Sequence, residues 1–223
     1  MSTWIREEWR ADAALLHARP MPQDGRRRVC RLQPSAPALI LGSASFLPAG
    51  AARWAASRGV PVVRRRSGGG LVWLDPESCA WVDVFVPAGD PLWRADVGEA
   101  FGWLGHALAQ AFADFGVTAS PHRGAYEAGP SNGLVCFASL GPGEVCVEGR
   151  KLVGISQRRT REGCRFQCLA AARFELGPLA AAMDSATAAR VTERAVGWAD
   201  LGVSGSPADI AELLVRHISA YEA

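Results

Sequence analysis

Hydrophobic residues recur along the 223-residue chain at two spacings, a helical three-to-four and a strand-like two, and the switch between them outlines the elements. Residues 5–18 predict an amphipathic helix. Residues 29–32 and 38–42 predict short strands, kept apart by Pro34 and Pro37. A helix over 48–58 leads into a strand at 62–65. Residues 71–74 and 79–86 predict a strand pair across the turn-forming Asp75 and Pro76. The most regular helical period covers 93–115, with Val97, Phe101, Leu104, Leu108, Ala111 and Phe115 on one stripe and Gly116 as a stop. Residues 121–133 read as loop. Beyond them 145–148, 151–157 and 163–170 predict an antiparallel meander with turns at Gly149 and Gly163. Residues 178–195 and 207–220 read as helices, the second capped by Ser206 with Pro207 at its first position.

Strand groups and helix groups alternate without a regular strand-helix-strand repeat, which predicts an α+β fold rather than a doubly wound parallel sheet. One domain over 1–223 is expected, with 178–223 as its helical C-terminal portion. Hydrophobic residues at 49% and charged residues at 21% point to a soluble folded body and exclude a disordered one. The opening residues are interrupted by charge and no later run is long and apolar enough for a bilayer, so the expectation is a cytoplasmic protein with no membrane partner. Six scattered cysteines in a chain of this size are expected to be reduced thiols. A net charge of +2 gives no basis for nucleic-acid binding.

One compositional feature changes the picture. Lys and Arg total 24, yet Lys151 is the only lysine. Ammonium and guanidinium differ in size, hydration and hydrogen-bond geometry, so a lone lysine in an arginine-rich background points to a chemical requirement at that position. Lys151 begins a predicted strand beyond a glycine turn. Strict alternation puts it on one face with Val153, Ile155 and Gln157, and puts Leu152, Gly154 and Ser156 on the other. An ammonium there can stabilise negative charge on an acyl oxygen, although an edge-strand lysine that discourages aggregation is the commoner role.

A second candidate is RRRSGGG at 64–70. Its arginines precede three glycines whose backbone N–H groups can converge on a carboxylate or phosphate, and a flexible hairpin with exposed charges is the plain alternative. The third candidate is Cys136, followed by Phe137, in an apolar run. His17, His106, His122 and His217 are dispersed without metal-ligand spacing, so no metal site is expected. Cys164 and Cys168 read as core residues, and Trp73, Trp81, Trp93 and Trp103 as core or as the lining of a channel.

RRRSGGG at 64–70 and GRKLVGISQ at 149–157 together resemble the lipoate-protein ligase family of the biotin and lipoate ligase superfamily, over about residues 12–176. The resemblance implies a class II synthetase-like catalytic domain, a mixed sheet flanked by helices. It implies that Arg65, Ser67, Gly68, Gly69 and Gly70 embrace an acyl carboxylate and an adenylate phosphate, with Gly154 and Ser156 beside them. Lys151 would contact the activated carbonyl. ATP with Mg2+ would activate lipoate or octanoate for transfer to a lysine on the lipoyl-acceptor domain of a 2-oxoacid dehydrogenase or a glycine-cleavage protein. Cys136 and Phe137 also resemble the Cys-Phe pair of a related octanoyltransferase subgroup, which implies the alternative of a Cys136 thioester loaded from an acyl carrier protein. Leu74 stands where the family often has histidine before aspartate, and no counterpart of the larger ligases' separate C-terminal domain is seen. Those departures motivate a third reading, a non-catalytic acyl- or cofactor-binding protein.

Overall fold

A computed structural model describes residues 4–222. The first three residues and the last, part of the expected 1–223 domain, lie outside the described residues. The fold is α+β, as expected, and layered. A seven-stranded mixed sheet runs in the order β1 (Ile5–Ala11), β2 (Arg28–Pro34), β6 (Cys79–Pro87), β10 (Gly163–Ala171), β9 (Arg150–Thr160), β8 (Val145–Val147), β7 (Ser120–Pro121). Only β1 and β2 are parallel neighbours within it. A smaller sheet of β4 (Val62–Arg64), β3 (Ala38–Leu41) and β5 (Val72–Leu74) packs against one face. Two helices, α3 (Gly102–Ala113) and α5 (Pro207–Ala220), cover the other.

Alternation along the central strands assigns residues to these faces. On β10, Cys164, Phe166, Cys168 and Ala170 enter the helix-side core with Val82 and Val84 of β6 and Leu104, Leu108, Phe112 and Leu214 of the helices. Burying each large side chain there contributes roughly 1.5–3 kcal/mol. The intervening residues of the same strands, Trp81, Asp83, Arg165 and Gln167, face the small sheet. Burial pushes the Cys164 thiol up to about 11 and that of Cys168 well above its ordinary value, so both are inert core thiols.

Three expectations fail for identifiable reasons. The segment predicted as one helix over 5–18 divides into strand β1 and α1 (Ala13–Ala18), because Asp12 accepts from the Leu15 N–H at 2.8 Å and starts the helix late. Glu7 and Glu8 of β1 meanwhile pair with Arg19, Arg28 and Arg31, contacts that a helix would not place along β2. The expected hairpin across Asp75 and Pro76 does not form. β5 pairs with β3 in the small sheet while β6 lies in the large one, so the turn carries the chain between layers. The helix expected over 93–115 begins only with a 3-10 turn, Glu99–Phe101, behind Asp96, whose side chain accepts from the Glu99 N–H at 2.9 Å. Val97, counted in its apolar stripe, is 55% exposed.

The meander and the last helix agree with expectation. β8, β9 and β10 are successive antiparallel neighbours, and α5 carries a reciprocal capping box between Ser206 and Asp209 with Pro207 in the first turn. The helix expected over 48–58 forms as α2 (Ala49–Ser57), and the 178–195 stretch forms a 3-10 segment, Gly177–Ala182, and α4 (Ser185–Thr192). Among the described residues no helix is long and apolar enough to cross a membrane.

Candidate active site

The site lies between the two sheets, and its first part is the loop after β4. Arg64 points outward and holds the Gly42, Ser43 and Ser45 carbonyls. Arg65 turns inward. Its Nη2 donates to the Gly68 carbonyl at 2.8 Å and the Gly70 carbonyl at 3.3 Å, and lies 3.8 Å from the Cys136 Sγ. The guanidinium thus fastens the loop as well as lining the cleft. Gly69 has φ +102°, and a Cβ there would meet the Arg65 Nη2 at 2.6 Å and the Cys136 Sγ at 3.3 Å. A Cβ at Gly70 would strike the Gly133 and Leu134 carbonyls. Around Gly68, by contrast, nothing lies within 4 Å, so that glycine leaves backbone open to a ligand.

From the loop a hydrogen-bonded chain crosses the cleft. The Ser67 hydroxyl donates to the Gln167 Oε1 at 2.7 Å and lies 3.0 Å from the Ser156 hydroxyl. The Gln167 amide is thereby oriented with Nε2 toward the His17 Nδ1, 3.0 Å away, so His17 accepts there. Burial first, then the Arg65 and Arg165 charges, depress the His17 pKa to about 3, so the ring is neutral near pH 7. Its ring packs on Trp81, centroids 4.6 Å apart.

Lys151 is only 1% exposed, which rules out the edge-strand reading. Its Nζ lies 2.6 Å from the Glu144 Oε2 and donates to the Cys136 carbonyl at 2.7 Å. Glu144 is itself fixed by the Gly141 N–H at 2.7 Å and the Ile155 N–H at 3.1 Å. The face predicted for Lys151 needs correction. Val145 pairs with Val153 but Cys146 pairs with Lys151, so the register skips Leu152, and both Leu152 and Val153 enter the helix-side core. This β-bulge reverses the alternation and turns Lys151 toward Gly154 and Ser156. The backbone of Lys151 is also bonded to Arg194 and Val196, which hold that end of β9 from the C-terminal side.

Two clefts meet at these groups. One is narrow and largely apolar, with Ile40, Val72, Leu74, Trp81, Phe137 and Leu169 among its walls and Gly154 beside them. Leu74, the departure at the histidine position, is part of this apolar wall. The other, about 250 Å³, is lined by Gly68, Gly69, Gly70, Tyr126, Lys151 and Gln157 among others. Cys136, Ile155 and Ser156 border both. All nine sequence-predicted residues, Arg65, Ser67, Gly68, Gly69, Gly70, Cys136, Lys151, Gly154 and Ser156, line one cleft or the other except Ser67, which joins through its bonds to Ser156 and Gln167. Sequence reasoning missed His17, Glu144 and Gln167 as site residues. None has a local motif, since their roles come from pairing across the sheet or from α1 packing against it.

Among the described residues no group of three or more His, Cys, Asp or Glu side chains is placed to hold a metal ion. Of the tryptophans considered for a channel, Trp81 alone lines the apolar cleft, while Trp103 belongs to the helix-side core.

The model of the lipoyl protein ligase A/B catalytic domain matches residues 5–218. No curated protein sequence matches the chain. Among solved structures, a lipoate protein ligase of T. acidophilum with bound lipoic acid is similar at 16% identity and a TM-score of 0.72, over 98% of this chain and 84% of that one. A lipoate-protein ligase A bound with ATP is similar at 16% identity and a TM-score of 0.70, with the same shares covered. A bipartite ligase from Thermoplasma acidophilum, described with its E2 lipoyl domain, is similar at 15% identity and a TM-score of 0.75, over 98% and 83%.

Proposed function

Because this chain belongs to the lipoyl protein ligase A/B catalytic domain family, we propose that it is a lipoate- or octanoate-protein ligase that works through an acyl-adenylate. In the first step the acid's carboxylate attacks the α-phosphorus of ATP and pyrophosphate leaves. In the second an acceptor lysine attacks the activated carbonyl, loses a proton and releases AMP. The observation that carries this reading is the meeting, at the glycine loop and Lys151, of an apolar cleft and a wider one that carries Lys151, Glu144, Gln157 and the loop backbone. An acyl-adenylate has an apolar tail and a polar nucleotide joined at one carbonyl, and that carbonyl would sit at the junction. Bound lipoic acid and bound ATP in two of the structural neighbours motivate the same two occupants.

Each residue has a physical part in this scheme. The open backbone at Gly68 receives the phosphate, with Arg65 as the nearest guanidinium. Glu144 and the Cys136 carbonyl hold the Lys151 ammonium without rotamer freedom, so a donor stands ready where charge develops on the acyl oxygen. With its few protein carboxylates otherwise engaged, the site leaves Mg2+ to travel on the triphosphate. The acceptor is a lipoyl domain of the kind carried by 2-oxoacid dehydrogenases or the glycine-cleavage system.

One observation favours a second route. The Cys136 Sγ borders both clefts and faces the Arg65 guanidinium. A thiolate there could attack an octanoyl thioester on an acyl carrier protein, release the carrier thiol and hold the acyl group until the acceptor lysine takes it. The discriminating experiment combines purified protein, octanoate and a lipoyl domain, with and without ATP, read by intact mass. The ligase gives an ATP-dependent octanoyl adduct on the lipoyl domain, largely retained in Cys136→Ala. A hydroxylamine-sensitive adduct on Cys136, loaded from the carrier without ATP and passed on to the lipoyl domain, would overturn it.

A further inference from the structure

Trp81 lines the apolar cleft, and we propose that this indole is a fixed stop that restricts the enzyme to medium-length acyl chains. The inference deepens the acyl-transfer reading above and rests on it. Trp81 projects from β6 between Leu32 of β2 and Leu169 of β10, its directly paired neighbours. It forms part of the wall of the apolar cleft and also of a second cavity of about 270 Å³. Arg10, Arg31 and Gln33 bring polar groups to that second cavity, whereas Leu32, Pro76 and Ala211 give it an apolar part. Trp81 is the one residue that the two linings share, which makes it the partition between the acyl cleft and the space toward the start of α5.

The partition is held from several sides. The Trp81 Nε1–H donates to the Asp83 Oδ1 at 2.9 Å, and Asp83 accepts from the Arg165 Nε at 2.6 Å. His17 packs on the ring and is itself tied through Gln167 to the glycine loop. Swinging the indole aside would break its N–H bond in a buried setting and strip His17 of its contact. A chain too long for the slot thus meets a wall that does not yield. Side-chain truncation at this position joins the two cavities and gives further methylenes an apolar surface to cover, each worth roughly fourfold in affinity once buried.

Calorimetric titration with octanoate and with dodecanoate, without ATP, tests this on the parent protein, Trp81→Ala and Trp81→Phe. The parent should bind octanoate in preference to dodecanoate. Trp81→Ala should raise the dodecanoate-to-octanoate affinity ratio at least tenfold. Trp81→Phe should keep the parental order, since a ring remains and only the N–H is lost. If Trp81→Ala does not fold, Trp81→Leu is read in the same way. A folded Ala or Leu variant with the parental ratio overturns the stop, as does a parent that binds both acids equally. A Phe variant that shifts as far as the Ala variant shows that the bond to Asp83, not the ring, sets the length. A parent that binds neither acid overturns the acyl-cleft reading itself.

Discussion

The two faces of the seven-stranded sheet are made from the same strands and differ in almost everything else. Toward the helices, Val82, Val84, Phe166, Cys168 and their neighbours form a close-packed apolar layer. Toward the small sheet, the adjacent residues Trp81, Asp83, Arg165 and Gln167 are buried or nearly so, yet all four carry polar or charged groups satisfied by named partners. Burial is similar and chemistry is not. The first face is tolerant of any residue of the right shape. The second depends on complete polar pairing, because a buried group left without its partner is costly. Cohesion is thus concentrated on one side and recognition on the other, so damage to the two sides should be separable by measurement.

The largest expected effect is on catalysis. Lys151→Arg keeps the charge but not the compact ammonium held by Glu144 and the Cys136 carbonyl, and acyl transfer to a lipoyl domain should fall about a hundredfold or more. The variant should still melt cooperatively, and a normally active one would remove Lys151 from the mechanism. Next in size are two stability losses that oppose the faces. Glu144→Leu leaves the Lys151 charge buried without its partner, and Phe112→Ala leaves a cavity among α3, α5 and the sheet, each costing about 3–5 kcal/mol in denaturant titration. The folded fraction of Phe112→Ala should bind octanoate as the parent does, whereas Glu144→Leu should also lose transfer activity. Equal loss of activity in both would erase the distinction between the faces.

Two smaller effects sharpen it. Gly68→Ala should change stability by less than about 0.5 kcal/mol, because nothing stands near its Cβ, yet weaken binding of a non-hydrolysable acyl-adenylate about tenfold. Gly69→Ala should instead cost about 1–3 kcal/mol, from its positive φ and the Arg65 Nη2 in the way. Finally, His17 has a folded-state pKa near 3 against an ordinary value of 6.5. The unfolded chain binds this proton first as pH falls, so the stability it supports is complete above about pH 6.5 and declines toward pH 3, by at most about 1.4 kcal/mol per unit. His17→Gln should flatten the acid side of a stability-against-pH curve, and an unchanged slope would show that His17 titrates normally.

Much of this arrangement was legible in the sequence because it is local. The cap at Ser206, the β8–β10 meander and the two glycine-bearing motifs each depend on a few consecutive residues. The failures are of another kind. β1 was mistaken for helix because its strand identity comes from β2 and from ion pairs to Arg19, Arg28 and Arg31. The pairing of β5 with β3 was missed because Asp75 and Pro76 specify a turn without saying which layer follows it. Lys151 was recognised, but its direction was not, since a bulge is a property of two strands in register. Glu144 and Gln167 stayed unremarked for the same reason: each acquires its role from a partner distant in the chain.

The bulge at Leu152 also bears on how such a domain can change over evolutionary time. A substitution along β9 alters one side chain, but an insertion or deletion there alters which way the following residues point. Regular pleating through Leu152 would instead send the lysine toward the helices, where an ammonium has no counter-ion. With the present residues of β9, the lysine and Gly154 share a side because of that irregularity, so drift in this strand is constrained by the bulge's position as well as by side-chain chemistry.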